Sequence, residues 1–191
     1  MAMEIRPASR FADVATILAP KNPDSEACWC LTYRLSPKEN RELAGDERPK
    51  VVEQLCGRAL APGVLAYVEG EVAGWAGVAP RADLHLFAHS TKIPHVDDLP
   101  VWSVWCVRVR PGFRKRGVAG ALIRGAVDFA RDRGAPAIEG YPVDNGDRRV
   151  DSTMAYVGTR TMFERAGFTK AADTDSVSNG IPRVLMRLAL G

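Results

Sequence analysis

A short basic loop is the part of the 191-residue sequence with the clearest chemical capacity. It combines cations with small residues, in the order Arg114, Lys115, Arg116, Gly117, Val118 and Ala119. The apolar spacing after the loop predicts a helix that begins near Gly117, and the first turn of a helix carries unpaired N–H groups and a partial positive charge. Because Gly117 and Ala119 have almost no side chain, a diphosphate can approach the backbone closely. The loop therefore predicts an anion-binding site.

The glycine spacing separates this loop from two common nucleotide-binding motifs. It is not the spacing of a dinucleotide-binding fold, and the sequence has no Gly-Lys-Ser/Thr of an ATP-binding loop. On the residues of the loop alone, a plain basic turn from a strand into a helix stays open as the alternative interpretation.

Two motifs together resemble those of the GCN5-related N-acetyltransferase (GNAT) superfamily. The run Arg114-x-x-Gly117-x-Ala119 is similar to the Arg/Gln-x-x-Gly-x-Gly/Ala signature of that family. Residues 162–168, with the sequence Met-Phe-Glu-Arg-Ala-Gly-Phe, are similar to the aromatic-Glu-Lys/Arg-x-Gly-Phe motif near the end of the family's last helix. The resemblance covers nearly the whole chain and is most specific over residues 104–168.

The family resemblance implies an α/β fold built on a mixed, mostly antiparallel sheet. The sheet is expected to be splayed at its centre, between the strands at 104–110 and 137–143, and to have helices on both faces. A single GNAT-like acyltransferase domain is expected over residues 1–191.

The same resemblance implies a binding site for acetyl-CoA, as co-substrate, in the gap of the splayed sheet. The backbone of Val107 and Val109 would pair with the pantetheine arm and the thioester carbonyl. The amides of residues 114–119 would hold the pyrophosphate, and Thr159 would line the pantetheine path.

The implied activity is N-acetyltransfer from acetyl-CoA to a primary amine, by direct attack in a ternary complex. A non-catalytic acyl-CoA-binding regulatory module on the same fold is the alternative. Nucleic-acid binding through the arginines at 108–116 fits poorly with a net charge of only +3. The acceptor is not identified, because its pocket is expected in the segments 24–61 and 80–100.

Two residues depart from the family pattern. Phe163 stands where many relatives have a Tyr that protonates the departing thiolate, and Ser103 stands where some relatives have a Glu. Phe163 has no proton to give, so another donor, a water molecule or unassisted release must replace it. We select Tyr156 as the catalytic donor. The other candidates by sequence are Thr159, Tyr141 and Cys106.

Glu139 is the predicted catalytic base. It interrupts the apolar strand 137–143, where a carboxylate is costly unless it has a partner or faces a cleft. Tyr141, two residues further along the strand, lies on the same face and is a possible hydrogen-bond partner. A salt-bridged, structural Glu139 is the alternative. The weaker candidates for the base are Asp144, Asp97 and Asp98.

Apolar periodicity and turn residues predict the elements that position these groups. Strand–helix–strand over 101–143 indicates a right-handed parallel crossover, and the preceding hairpin makes the sheet mixed. Ser36 and Glu39 form a capping-box pattern at a helix start. The predicted strands are 4–6, 64–68, 72–78, 101–110, 137–143 and 182–190, and the clearest predicted helices are 11–18, 117–133 and 159–166.

The remaining features of the sequence are those of an ordinary globular protein. Apolar residues make up 46% and charged residues 26%. The first residues lack the apolar stretch of a secretory signal, so we expect a cytoplasmic protein with no membrane partner. The four cysteines are expected to be reduced core thiols, with no bound metal. A monomer or a homodimer is expected.

Overall fold

The protein is built on one mixed β-sheet. The structure, a computed structural model, describes residues 2–22, 25–146, 150 and 155–191. Its strands are β1 (Met3–Pro7), β2 (Gly63–Val68), β3 (Glu71–Pro80), β4 (Trp102–Val109), β5 (Ala137–Gly140), β6 (Thr169–Ser178) and β7 (Ile181–Ala189). Its α-helices are α1 (Phe11–Leu18), α2 (Pro37–Glu42), α3 (Arg48–Cys56), α4 (His85–Ala88), α5 (Val118–Arg131) and α6 (Arg160–Arg165).

Most neighbouring strands in this sheet are antiparallel. In the described residues the sheet has seven strands in the order β1-β2-β3-β4-β5-β7-β6, and β4 and β5 form its one parallel pair. The crossover from β4 to β5 contains α5. The mixed, mostly antiparallel sheet and the hairpin of β2 and β3 are therefore confirmed.

Helices cover both faces of the sheet, as predicted. Adjacent strand residues point to opposite faces, so Val64 packs in the core with α5, whereas Leu65 packs in the core with α1 and α3. The α5 side is filled by Leu122, Ile123 and Ala126, which recur at helical spacing. The side chain of Ser36 accepts from the Glu39 N–H and the Glu39 carboxylate accepts from the Ser36 N–H, which confirms the capping box.

The sheet is splayed between β4 and β5. Their register ends at Val104 opposite Gly140, whereas β4 continues to Val109. Beyond Gly140 the chain leaves β4, and Val143 forms bridges with Thr159 and Arg183 instead. The strand predicted over 137–143 is therefore shorter than expected.

Sequence patterns failed to predict β6. Its residues are mostly polar and it lies at the edge of the sheet, where one side of the backbone faces solvent and few apolar contacts are made. A signal for the hairpin of β6 and β7 was present in Asn179-Gly180. Both residues have positive φ, at 47° and 74°, as a tight two-residue turn requires.

Gly140 has a steric role at the point where the strands separate. A Cβ atom there would lie 2.6 Å from Cζ of the Phe163 ring. We expect Gly140→Ala to lower the free energy of unfolding by about 1–3 kcal/mol, because the buried ring must shift. Gly112→Ala is the matched control, since a Cβ atom at Gly112 meets nothing within 4 Å. Urea unfolding of both variants measures the difference, and equal stability of the two would contradict the expectation.

Candidate active site

The basic loop leads into the N-terminus of the 14-residue helix α5. Gly117 precedes the helix with a left-handed φ of 78°, and Lys115 is also left-handed at 61°. The first intrahelical bond runs from Ala121 N to Gly117 O at 3.0 Å, so the N–H groups ahead of Ala121 have no acceptor within the helix. Residues 114–117 are exposed. Open space, backbone donors and positive charge therefore meet at one place, as an anion-binding loop requires.

Past Val104, the edge of β4 that faces the gap pairs with no strand among the described residues. Arg110 donates its N–H to Ala73 O on the β3 side at 2.9 Å. Because backbone groups alternate along an antiparallel strand, those of Val109 and Val107 point to the opposite edge. The pairing of β4 with β5 has already ended at Val104. This edge is therefore available to an extended ligand.

A β-bulge at Trp105 directs side chains of β4 toward one face. Val78 pairs with Val104 and Gly77 pairs with Cys106, so Trp105 is the extra residue. A Cβ atom at Gly77 would lie 2.7 Å from Cζ2 of Trp105, so a glycine is needed beside the indole. Trp105 and Cys106 both belong to the core on the α1 and α3 side.

A cavity of about 300 Å³ adjoins this part of β4. The segment after α1 and the segment before α6 complete its wall. Its lining residues are Cys28, Cys30, Thr32, Tyr33, Trp105, Cys106, Arg108 and Tyr156. Val107 lies between Cys106 and Arg108, which both line the cavity. The cavity therefore adjoins the edge of β4, and ligands bound at the two places would be in contact.

Tyr156 and Cys30 are uncharged at neutral pH in this cavity. Burial raises the pKa of Tyr156 to about 12, and its hydrogen bond with Tyr33 acts in the same direction. The contact of Cys30 with Cys106, at 2.9 Å between the sulfur atoms, and burial raise the pKa of the Cys30 thiol well above its usual range. Tyr156 therefore keeps its proton, and Cys30 is not a thiolate nucleophile.

Glu139 lies in a buried ion cluster and not in the cavity wall. Its side chain is fully buried, and its two carboxylate oxygens accept from Arg81 at 2.8 Å, from the Tyr141 hydroxyl at 3.0 Å and from Arg187 at 3.0 Å. The predicted contact with Tyr141 is present. These donors favour the salt-bridged alternative, and the role of Glu139 as a base stays a prediction. Ser103 also contacts the Tyr141 hydroxyl, at 2.7 Å.

The other candidates for proton transfer lie at different places. Phe163 is buried edge-on against Phe168, at 5.0 Å between ring centroids. Thr159 is the N-cap residue of α6 and bridges to Val143, near the end of the gap. Asp144 is ion-paired with Arg160 at 3.2 Å. Asp97 is ion-paired with Arg187, at the rim of the Glu139 cluster.

Several residues of the cavity wall lie in the segment 24–61, where the acceptor pocket was expected, but they could not be singled out from the sequence. Cys28, Thr32 and Tyr33 lie in an irregular segment, in which Trp29 and Cys30 have positive φ. Irregular segments have no periodicity from which a shared face can be predicted.

The comparisons with known proteins agree with this geometry. Residues 29–150 match the model of the family described as Acetyltransferase (GNAT) family. Because the match spans well over half of the sequence, the chain belongs to the GNAT family of acetyltransferases, as the loop and the motif at 162–168 had indicated. No curated protein sequence matches the chain.

Solved structures show the same fold at low sequence identity. A GNAT-family protein from Desulfovibrio desulfuricans is 20% identical with a TM-score of 0.58, and each chain covers the other fully. An N-acetyltransferase from Staphylococcus aureus Mu50 is 15% identical with a TM-score of 0.59 and the same coverage. The yncA protein of Salmonella typhimurium, solved with its cofactor acetyl-CoA, is 19% identical with a TM-score of 0.57 over 100% of this chain and 95% of that one.

The described residues include neither a membrane-spanning helix nor a cluster of metal ligands. No helix among them has the length and apolar character needed to cross a membrane. The same residues contain no group of three or more His, Cys, Asp or Glu side chains placed to hold a metal ion.

Replacing Glu139 by Gln distinguishes the two roles of this carboxylate. We expect Glu139→Gln to lower the free energy of unfolding by about 3–5 kcal/mol, because Arg81 would stay buried without its carboxylate partner. Asp128→Asn is the control, since it removes an exposed ion pair with Arg131, which contributes at most about 1 kcal/mol. Near-normal stability, combined with a selective loss of turnover and a changed acidic limb, would support the base instead.

Proposed function

We propose that this protein transfers the acetyl group of acetyl-CoA to a primary amine, by direct attack in a ternary complex. The observation that carries the proposal is the unpaired edge of β4 at Val107 and Val109. This edge runs from the cavity at Trp105 toward the N-terminus of α5. An extended thioester with a diphosphate at one end matches that arrangement.

Each part of acetyl-CoA has a proposed position. The pyrophosphate accepts from the amides around Gly117 to Ala119, and the side chains of Arg114, Lys115 and Arg116 add positive charge. The pantetheine arm extends along β4, as an added strand would, and passes Thr159 on the other side of the gap. The acetyl group then lies at the cavity.

The proposed reaction uses groups at the cavity and at the adjoining edge of β4. The amine nitrogen attacks the thioester carbonyl carbon, and the oxygen that becomes negative accepts from the backbone N–H of Val107. Collapse of this intermediate breaks the carbon–sulfur bond. We assign to Tyr156 the donation of a proton to the departing thiolate, because its hydroxyl lines the cavity and stays protonated. The amine's own proton passes to water.

A non-catalytic acyl-CoA-binding module is the second candidate. The observation in its favour is Phe163, which has no hydroxyl. Release of free CoA thiol, measured with acetyl-CoA and a panel of primary amines, separates the two functions. Amine-dependent thiol release supports the enzyme, whereas tight acetyl-CoA binding without release with any amine supports the module.

A carboxylate at Gly117 is expected to abolish acetyl-CoA binding. Gly117→Glu places a negative charge against the pyrophosphate, and we expect the affinity to fall at least about 100-fold. Gly134→Glu is the matched control: Gly134 has a φ of 74° against 78° at Gly117, and both positions are open. It lies beyond the other end of α5. Isothermal calorimetry measures both, and equal affinities would show that the pyrophosphate binds elsewhere.

Tyr156 is expected to act on turnover and not on cofactor binding. Tyr156→Phe should lower kcat about 10–100-fold with the KM for acetyl-CoA unchanged. Since the pKa of Tyr156 is about 12, its proton is lost only as the pH rises through that value, and the wild-type enzyme should show no basic limb from Tyr156 below about pH 10. Tyr67→Phe, which removes a hydroxyl bound to Asp13, is the control. An unchanged kcat for Tyr156→Phe would assign the proton to water.

A further inference from the structure

Three arginines surround the cavity without a carboxylate partner in the described part of the chain. Arg108 lines the cavity, and its Nη2 donates to Cys28 Sγ at 3.7 Å. Arg34 lies over the ring of Trp105, at 5.1 Å from the centroid, and donates to Pro62 O at 3.2 Å. Arg183 donates to the hydroxyl of Tyr33, which lines the cavity, at 3.3 Å. The cavity wall described above therefore holds positive charge and no Asp or Glu.

Arg183 is the most deeply buried of the three arginines. It is 5% exposed, its Nε donates to Tyr141 O at 2.7 Å, and its Nη1 donates to the Tyr33 hydroxyl at 3.3 Å. Its Nη2 is buried and has no hydrogen-bond partner among the described residues. A buried guanidinium with an unused donor is costly, and a negative charge bound on the cavity side of Tyr33 would offset part of that cost.

Arg34 also carries a positive charge that no ion pair with a described residue balances. Burial lowers the pKa of Arg34 to about 10, so the side chain still carries its charge at neutral pH. Asp83 is the carboxylate that acts on it, at a range beyond an ion pair. The positive charge near Trp105 is therefore only partly balanced.

The protein balances its other buried arginines directly. Arg81 and Arg187 both bind the carboxylate of Glu139, each at 2.8 Å in its ion pair. The fold thus provides carboxylates for buried guanidinium groups where the charges serve the structure. At the cavity the anion is missing from the described residues, which points to a ligand as its source.

We infer that the acetyl acceptor is a small amine that also bears a carboxylate, such as a free amino acid, and that its carboxylate binds at Arg108 and the Tyr33 hydroxyl, with the charge of Arg183 directly behind that hydroxyl. The inference rests on the proposed acetyl transfer. A cavity of about 300 Å³ has the size for such a molecule. Neutral and polycationic amines would leave the three guanidinium groups unbalanced.

The positive charge of the three arginines also favours the reactive, unprotonated form of the acceptor's amine. Nearby cations disfavour the ammonium form of the acceptor, so a larger fraction of its amine carries a free lone pair at neutral pH. The acceptor's carboxylate binds at Arg108 while its amine reaches the thioester. The described residues of the cavity wall include no carboxylate base, which is consistent with this arrangement.

The first test uses the wild-type enzyme and matched acceptors. Thiol release at saturating acetyl-CoA is measured for the common L-amino acids and for their carboxamides, which keep the amine and lose the negative charge. We expect kcat/KM for the preferred acid to exceed that of its amide by about 100-fold or more. Amides or alkylamines that react as well as the acids would overturn the inference and leave acetyl transfer standing. No thiol release with any amine would overturn both.

The second test uses variants on the preferred acid. Arg183→Met should raise the KM for the acid about 10–100-fold, with the KM for acetyl-CoA within about two-fold of the wild-type value. Arg133→Met, at a guanidinium that lies over the Phe129 ring, is the matched control and should change neither. If Arg183→Met does not fold, Arg108→Met tests the same carboxylate site from the cavity wall. An unchanged KM for the acid in the folded variant would overturn the inference.

Discussion

The ion cluster at Glu139 is the interaction on which the site depends. Glu139 lies opposite Ser103 on β4 and opposite Arg187 on β7, and Arg81 reaches it from the segment that follows β3. Removing one member would leave an unpaired charge in the interior, so the four segments are held together. The cluster stands in the short stretch over which β4 and β5 pair, and it fixes the point from which they diverge.

The divergence creates the two surfaces that the chemistry needs. Phe163 occupies the space beneath the gap, where Gly140 and Gly158 have no side chains to obstruct the ring. Past Val104, β4 stays paired with β3 but no longer pairs with β5, so the edge that faces the gap, the bulge at Trp105 and the cavity follow one another. At the end of that edge the chain turns into the N-terminus of α5. One separation of strands thus provides both the proposed co-substrate path and the proposed acceptor cavity.

The arginines divide into two groups with different tasks. Those at the Glu139 cluster have carboxylate partners and stabilise the sheet. Those around the cavity have thiol, phenol, carbonyl or indole partners instead. Such contacts satisfy some hydrogen bonds but do not balance charge. The positive charge that remains around the cavity is the basis on which we assign it an acceptor with a carboxylate.

Many local features of this protein could be predicted from its sequence, because they depend on interactions between residues close together in the chain. The start of α5 at Gly117, the capping box at Ser36 and the hairpin of β2 and β3 each depend on neighbouring residues, so they were predicted correctly from the sequence. The β6 strand was missed because a polar edge strand has little apolar pattern.

Only the tertiary structure decided what Glu139 and Arg183 contact. The partners of Glu139 include Arg81, 58 residues away, and Arg183 meets Tyr33 across 150 residues. A strand pattern shows that a charge is buried, but the order and register of the sheet determine which charge lies beside it. For that reason the sequence suggested a base at Glu139, whereas the folded chain gives that carboxylate three donors. In the described part of the chain, the arginines around the cavity form no ion pair with a carboxylate.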